Sequence, residues 1–176
     1  PGANSLEEII KKGKELGYDY LALSDHPPGF TTHNPAQIDK LVAKRTVEIE
    51  KLKKKFDKQI RVLNSLEVDI LPNGTLSVPN DVLATLDYCI AGVHSSHKMG
   101  KSEMTARFIR ALESDFVDII SHPSGRLLNE RSSFDLDWDK IFEVAAKNNK
   151  ILEINAFPNR LDLRDDLVRQ ALKYGV

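Results

Sequence analysis

The sequence predicts an α/β protein in which strands alternate with helices around a parallel sheet, and three observations carry that prediction. Apolar runs of buried-strand length recur from Tyr20 to His26, Ile60 to Glu67, Tyr88 to His94, Ile119 to His122 and Ile151 to Asn155. Amphipathic stretches with apolar residues at three- and four-residue spacing lie between them, and outside the Asn73-Gly74 turn no two runs are close enough to pair as a plain hairpin. Each run also closes on a side chain that can do chemistry: His26, Glu67, His94, His122, and in the last case the amide of Asn155.

Taken in order, Ser5 with Glu8 makes a capping box for a first helix striped by Leu6, Ile9, Ile10 and Leu16, and Gly17 suits its left-handed stop. The first strand runs to His26, where Pro27-Pro28-Gly29 ends it and a polar loop containing His33 follows. Asn34-Pro35 caps a long helix whose inward stripe is Ile38, Leu41, Val42, Arg45, Ile49, Leu52 and Phe56. Its other faces carry Lys40, Lys44, Lys51, Lys53, Lys54 and Lys55, continuing to Lys58, and are expected to be solvated rather than phosphate-binding.

The second strand carries Glu67 and continues through Leu71 to a Pro72-Asn73-Gly74 turn, with a short return over Leu76 and Val78. A brief helix from Asp81 to Leu86 precedes the third strand. After His94 comes a polar segment with His97, then a helix striped by Met104, Phe108, Ala111 and Leu112, and then the strand that ends on His122. Trp138, Ile141, Phe142 and Ala145 mark another helix, and Leu167, Val168, Ala171 and Leu172 a last one, stopped by Gly175. No composition shift marks a boundary, so the whole chain, 1–176, is expected to be a single domain with its own core.

Composition excludes several classes. A net charge of -1 gives no global basic field, so nucleic-acid binding has to rest on a local patch. No apolar segment approaches the roughly 20 residues of a membrane span, and a cytoplasmic location with no membrane partner is expected. Cys89 is the one cysteine, inside an apolar run, and is expected to be a small buried hydrophobe rather than a nucleophile.

In a parallel barrel the carboxyl ends of successive strands converge on one face. His26, Glu67, His94 and His122 would then meet there, and imidazole nitrogen with carboxylate oxygen is a donor set for divalent ions. Glu67 is the candidate bridge between ions. For any one of these histidines alone, a hydrogen-bonded core residue is the competing reading, and His33 and His97 suit plain surface roles. Arg126 and Arg160 follow strand ends and suit phosphate clamps, with ordinary ion pairing as the alternative. Asn155 suits substrate or water orientation, or capping of its own turn. Asp25 suits a hydrogen bond that orients His26.

The runs Leu23-Ser24-Asp25-His26, Glu67 to Gly74, Gly92-Val93-His94-Ser95 and Ser121 to Leu128 resemble successive motifs of the PHP (polymerase and histidinol phosphatase) domain. Glu67 to Gly74, Gly125 to Leu128, Glu153-Ile154-Asn155-Ala156 and Arg160-Leu161-Asp162-Leu163 most resemble the C-terminal PHP domain of bacterial family X DNA polymerases. The resemblance implies a distorted (β/α)7 barrel holding up to three ions, Mn2+ or Zn2+, with His26, Glu67, His94 and His122 as ligands. It implies phosphoester hydrolysis, as a 3′-5′ exonuclease or repair nuclease on DNA ends, beside a polymerase module in the same polypeptide. His97 would then face substrate.

A small phosphate ester of the histidinol phosphate kind is the alternative substrate, and a non-catalytic scaffold docked on a polymerase the alternative role. The family's opening His-x-His would precede Pro1 and its closing Asp-x-His would follow Val176, so the first and last strands are expected outside this chain. Pro1-Gly2-Ala3 also stands where the family commonly has Ser-Asp-Gly-Ala, which removes a ligand carboxylate. The piece by itself is therefore expected to bind metal weakly and turn over poorly.

Overall fold

The computed structural model describes residues 3–27 and 34–176, and the polar loop with His33 lies outside the described residues. The elements run α1 (Leu6–Glu15), β1 (Tyr20–Asp25), α2 (Pro35–Lys55), β2 (Arg61–Asp69), α3 (Asn80–Leu83), β3 (Tyr88–Gly92), α4 (Lys101–Leu112), β4 (Ile119–Ile120), α5 (Trp138–Lys147), β5 (Ile151–Leu152) and α6 (Asp165–Tyr174). The strands form one sheet in chain order, β1-β2-β3-β4-β5. The pairs β1/β2, β3/β4 and β4/β5 are parallel, as helix-long connections require. The chain folds as two compact units, Pro1–Leu66 with Val78–Tyr88, and Glu67–Ser77 with Cys89–Val176.

In the first unit the predicted caps are present. Ser5 and Glu8 close a capping box on α1, and Asn34 and Gln37 close one on α2. The amphipathic stripes of these helices meet the sheet in one cluster, Ile10, Leu23, Ile49, Leu52, Phe56, Ile60 and Val62. Arg45 belongs to the inward stripe for a reason the apolar pattern does not supply. Its guanidinium donates to Leu23 O at 2.8 Å and Asp25 Oδ2 at 2.6 Å, and is held by Asn64 Oδ1, so it fastens α2 to β1 and β2. Leu41, from the same stripe, is exposed. Of the lysine face, Lys53 pairs with Glu50 and Asp87, and Lys55 with Glu7.

In the second unit β2 stops at Asp69, two residues short of the sequence expectation. Ile70 instead bridges Leu76 in antiparallel fashion, and Ser77 holds Asp69 on both sides, its hydroxyl accepting from Asp69 N and its amide donating to Asp69 O. The return closes on Gly74 at φ +82°, a conformation that side chains with a Cβ avoid. Strands β4 and β5 are also shorter than their apolar runs suggest, two residues each. One more ladder bond follows on each side, Ser121 N to Ala91 O at 3.0 Å and Glu153 N to Ile120 O at 2.9 Å. The chain then leaves extended geometry at His122, whose φ is +31°. Around α5 and α6 lies the cluster Phe142, Leu163, Leu167 and Ala171, with Trp138 stacked on Phe142 at 5.5 Å. Cys89 is buried, and burial pushes its thiol up to about 12, as expected of a packing residue.

Candidate metal centre

Glu67 and Asp69 stand two residues apart on β2 and share one face of the strand. His94 follows the end of β3, and His122 follows the end of β4. These strand ends bring two imidazoles to one carboxylate: Glu67 Oε1 lies 3.4 Å from His94 Nε2 and 3.2 Å from His122 Nε2. The rings stand edge to face with centroids 5.1 Å apart. Ser121 Oγ donates to the same Glu67 oxygen at 2.9 Å, which orients the carboxylate.

Each histidine is held from behind. Asp69 Oδ1 pairs with His94 Nδ1, which directs Nε2 toward Glu67. The hydrogen bonds to Asp69 and then Glu67 raise the pKa of His94 to about 9, against the opposing effect of burial. The His122 backbone amide donates to Glu153 Oε2 at 2.6 Å, while His122 Nδ1 is buried without a hydrogen-bond partner.

Gly92 leaves the room for this meeting. A Cβ there would lie 3.0 Å from His94 Cε1 and 3.1 Å from His122 Cε1, and would press on Ser121 Oγ. Clustered nitrogen and carboxylate donors, an orphaned ring nitrogen and a cleared floor fit a divalent cation.

The remaining candidates have varied surroundings. His26 lies in the first unit, just past β1 and exposed. The β1/β2 register sets Asp25 opposite Leu66. Asp25 gives its carboxylate to Arg45. His97 stacks on Phe134 with ring centroids 5.9 Å apart, and its Nε2 accepts from Arg131 Nη1 at 3.1 Å. Burial first, and then the Arg131 charge, lower its pKa.

Arg126 donates from Nε to Arg160 O at 2.7 Å, and from Nη2 to Leu161 O, tying the loop after His122 to the loop after β5. It also lines an open cleft of about 480 Å³ with Asn129 and Arg131. Arg160 keeps a buried Nη1 without a partner. Asn155 Oδ1 accepts from Phe157 N at 3.1 Å, the turn-capping use. The fully buried Asp162 accepts from Ser124 N at 2.9 Å, bracing the loop that carries His122.

Sequence reasoning missed Asp69, Ser121 and Glu153. Asp69 was findable, because i and i+2 on a strand share a face. Ser121 and Glu153 act through contacts distant in sequence and leave no local pattern.

No protein-family model matches the chain. Its relatives do place it. The chain is 39% identical over 175 residues to the DNA polymerase/3′-5′ exonuclease PolX of Bacillus subtilis, covering 99% of this chain and 30% of that protein. It is 26% identical over 181 residues to a probable phosphatase of Acetivibrio thermocellus, covering 98% of this chain and 69% of that one. A solved structure from Listeria monocytogenes, assigned as the histidinol phosphatase hisK, superposes with a TM-score of 0.68 at 13% identity, covering 98% of this chain and 86% of that one.

The chain resembles the PHP family and spans 30% of the length of the PolX protein it matches. The α/β fold of five strands agrees with that family's distorted barrel as a fragment of it. Within this chain, a cluster of histidine and glutamate could bind a metal.

Proposed function

We propose that this chain is a PHP domain and a metal-dependent phosphoesterase that trims DNA ends, as a 3′-5′ exonuclease or repair nuclease within a family X DNA polymerase. The observation that carries the proposal is the meeting of His94 and His122 at the Glu67 carboxylate, each delivered by a different strand end. His26, Glu67, His94 and His122 would hold up to three Mn2+ or Zn2+ ions, with Glu67 the bridging carboxylate. When bound, the ions supply positive charge for phosphate oxygens and lower the pKa of water to near neutrality.

The chain's own residues do the rest. Asp69 holds the His94 ring with Nε2 forward, and Ser121 sets the rotation of the Glu67 carboxylate. Arg126 and Arg160 bring guanidinium charge past the same strand ends, and Arg160 has a donor unspent, which suits a phosphate oxygen. His97 and Asn155 take substrate-facing places in this reading, and Asp25 an orienting one. Both compact units belong to one domain in this proposal, and a polymerase module lies in the same polypeptide. The 39% identity to the PolX protein favours a DNA end over a small phosphate ester.

The test uses the polypeptide that carries this domain. With Mn2+ it is expected to release nucleotides from the 3′ end of an oligonucleotide, and Glu67→Ala or His94→Ala to abolish release while the unfolding midpoint barely moves. Activity equal to the parent in those variants removes the site assignment. Release of phosphate from a small ester, with oligonucleotides untouched, moves the substrate to the phosphatase class.

A further inference from the structure

We infer that Arg107 is a positioning residue of the metal centre: one buried guanidinium that sets the spacing between the strand end carrying Glu67 and Asp69 and the turn carrying His94. The inference rests on the metal-binding reading above. Arg107 sits on α4, 2% exposed. Its Nε donates to Ile70 O at 3.1 Å and its Nη2 reaches the same oxygen. Its Nη1 donates to Ser95 O at 3.0 Å and touches Met99 Sδ at 3.5 Å. Ile70 directly follows Asp69 and Ser95 directly follows His94, so the fork grips the residue behind each partner of the Asp69–His94 pair.

Packing alone does not call for a charge at this place. Met104, Phe108, Ala111 and Leu112 already bury the apolar face of α4, and an aliphatic residue would extend it. Burying a guanidinium costs several kcal/mol unless its donors are met, and here they are met by carbonyls rather than by a carboxylate ion pair among the described residues. Those carbonyls lie just past the ends of β2 and β3. Among the described residues, the Asp69 charge acts on Arg107 and favours its charged form.

The turn leaves no slack either. A Cβ on Gly74 would come 2.8 Å from Arg110 Cβ and 3.0 Å from Arg107 O, so the 70–77 return is closed directly onto α4. Fixing Ile70 and Ser95 to one rigid plane therefore fixes how far Asp69 stands from the His94 ring. Lysine cannot reproduce this, because a single ammonium has no fork to span two segments.

The test compares the parent with Arg107→Met and Arg107→Lys. Calorimetric titration with Mn2+ reads affinity, proton NMR of the metal-free protein reads the His94 ring proton held by Asp69, and thermal unfolding reads the fold. Arg107→Met is expected to weaken Mn2+ binding about 10–100-fold, the range for groups that orient a ligand, and to lose the ring-proton signal. Arg107→Lys is expected to fall between. A lowered unfolding midpoint with parental affinity and an unchanged ring-proton signal overturns the inference. If Arg107→Met does not fold, Arg107→Lys decides, and parental behaviour in it is the overturning result. If the parent itself binds no Mn2+, the metal reading fails, and the ring-proton signal alone still judges Arg107.

Discussion

Asp69 controls what His94 can do. Its carboxylate and that of Glu67 keep the His94 ring protonated up to about pH 9, well above the usual histidine range. Because the folded pKa is raised, this proton stabilises the metal-free protein fully below about pH 6.5, and the contribution is lost as pH rises through about 9. A cation needs the same nitrogen unprotonated. Mn2+ affinity is therefore expected to rise about tenfold per pH unit between pH 6.5 and 8.5, with one proton released per ion bound. Asp69→Asn removes the largest cause of the shift, so the steep region is expected to move to lower pH. Titration calorimetry in two buffers of different ionisation heat checks both, and a flat profile in the parent removes His94 as a ligand. The meeting of Glu67, His94 and His122 was legible because each ends an apolar run. Asp69 was not singled out, since in the sequence it looks like one more residue of a continuing strand.

At the scale of elements, helix starts were the clearest part of the sequence. Asn34 accepts from Gln37 N at 3.0 Å, as its place before Pro35 predicts, and Gln37 Oε1 accepts from Asn34 N at 2.9 Å, closing a capping box. Asn34→Ala is expected to cost about 1 kcal/mol, read as a lower denaturant midpoint with unchanged slope; no change means α2 is held by Arg45 and the core alone. Strand ends were less legible. Burial persists past Ile120 through Ser121, His122 and Ser124, but pairing stops where His122 turns to positive φ, and past Leu152 the run ends as Asn155 begins its own turn. A hydrophobic run reports burial, and burial continues after the ladder ends. Arg45 and Arg107 show the converse: both point inward from helices, and their use is to feed carbonyls and side chains at strand ends. No local pattern announces a partner 12 to 37 residues away.

Across the whole molecule, charge is the most informative quantity. With a net charge of -1, the chain has little to offer a polyanion at long range. It alone is expected to bind single-stranded oligonucleotides more weakly than about 10⁻⁵ M at physiological salt, which fluorescence anisotropy checks. Tighter binding that fades steeply with salt would show that Arg126, Arg131 and Arg160 act together as a basic patch. The fold class was legible because alternating elements leave few topologies open. The division into two units was not, because β2 runs through both without any break in composition. One packing detail makes that division experimentally accessible. Trp138, the sole indole in the chain, is stacked on Phe142 in the second unit, whereas Tyr18, Tyr20 and Tyr88 belong to the first. Emission excited at the red edge of the absorption band thus watches one half of the protein come apart while remaining blind to the other, and its disagreement with far-ultraviolet dichroism would measure how far the halves melt independently.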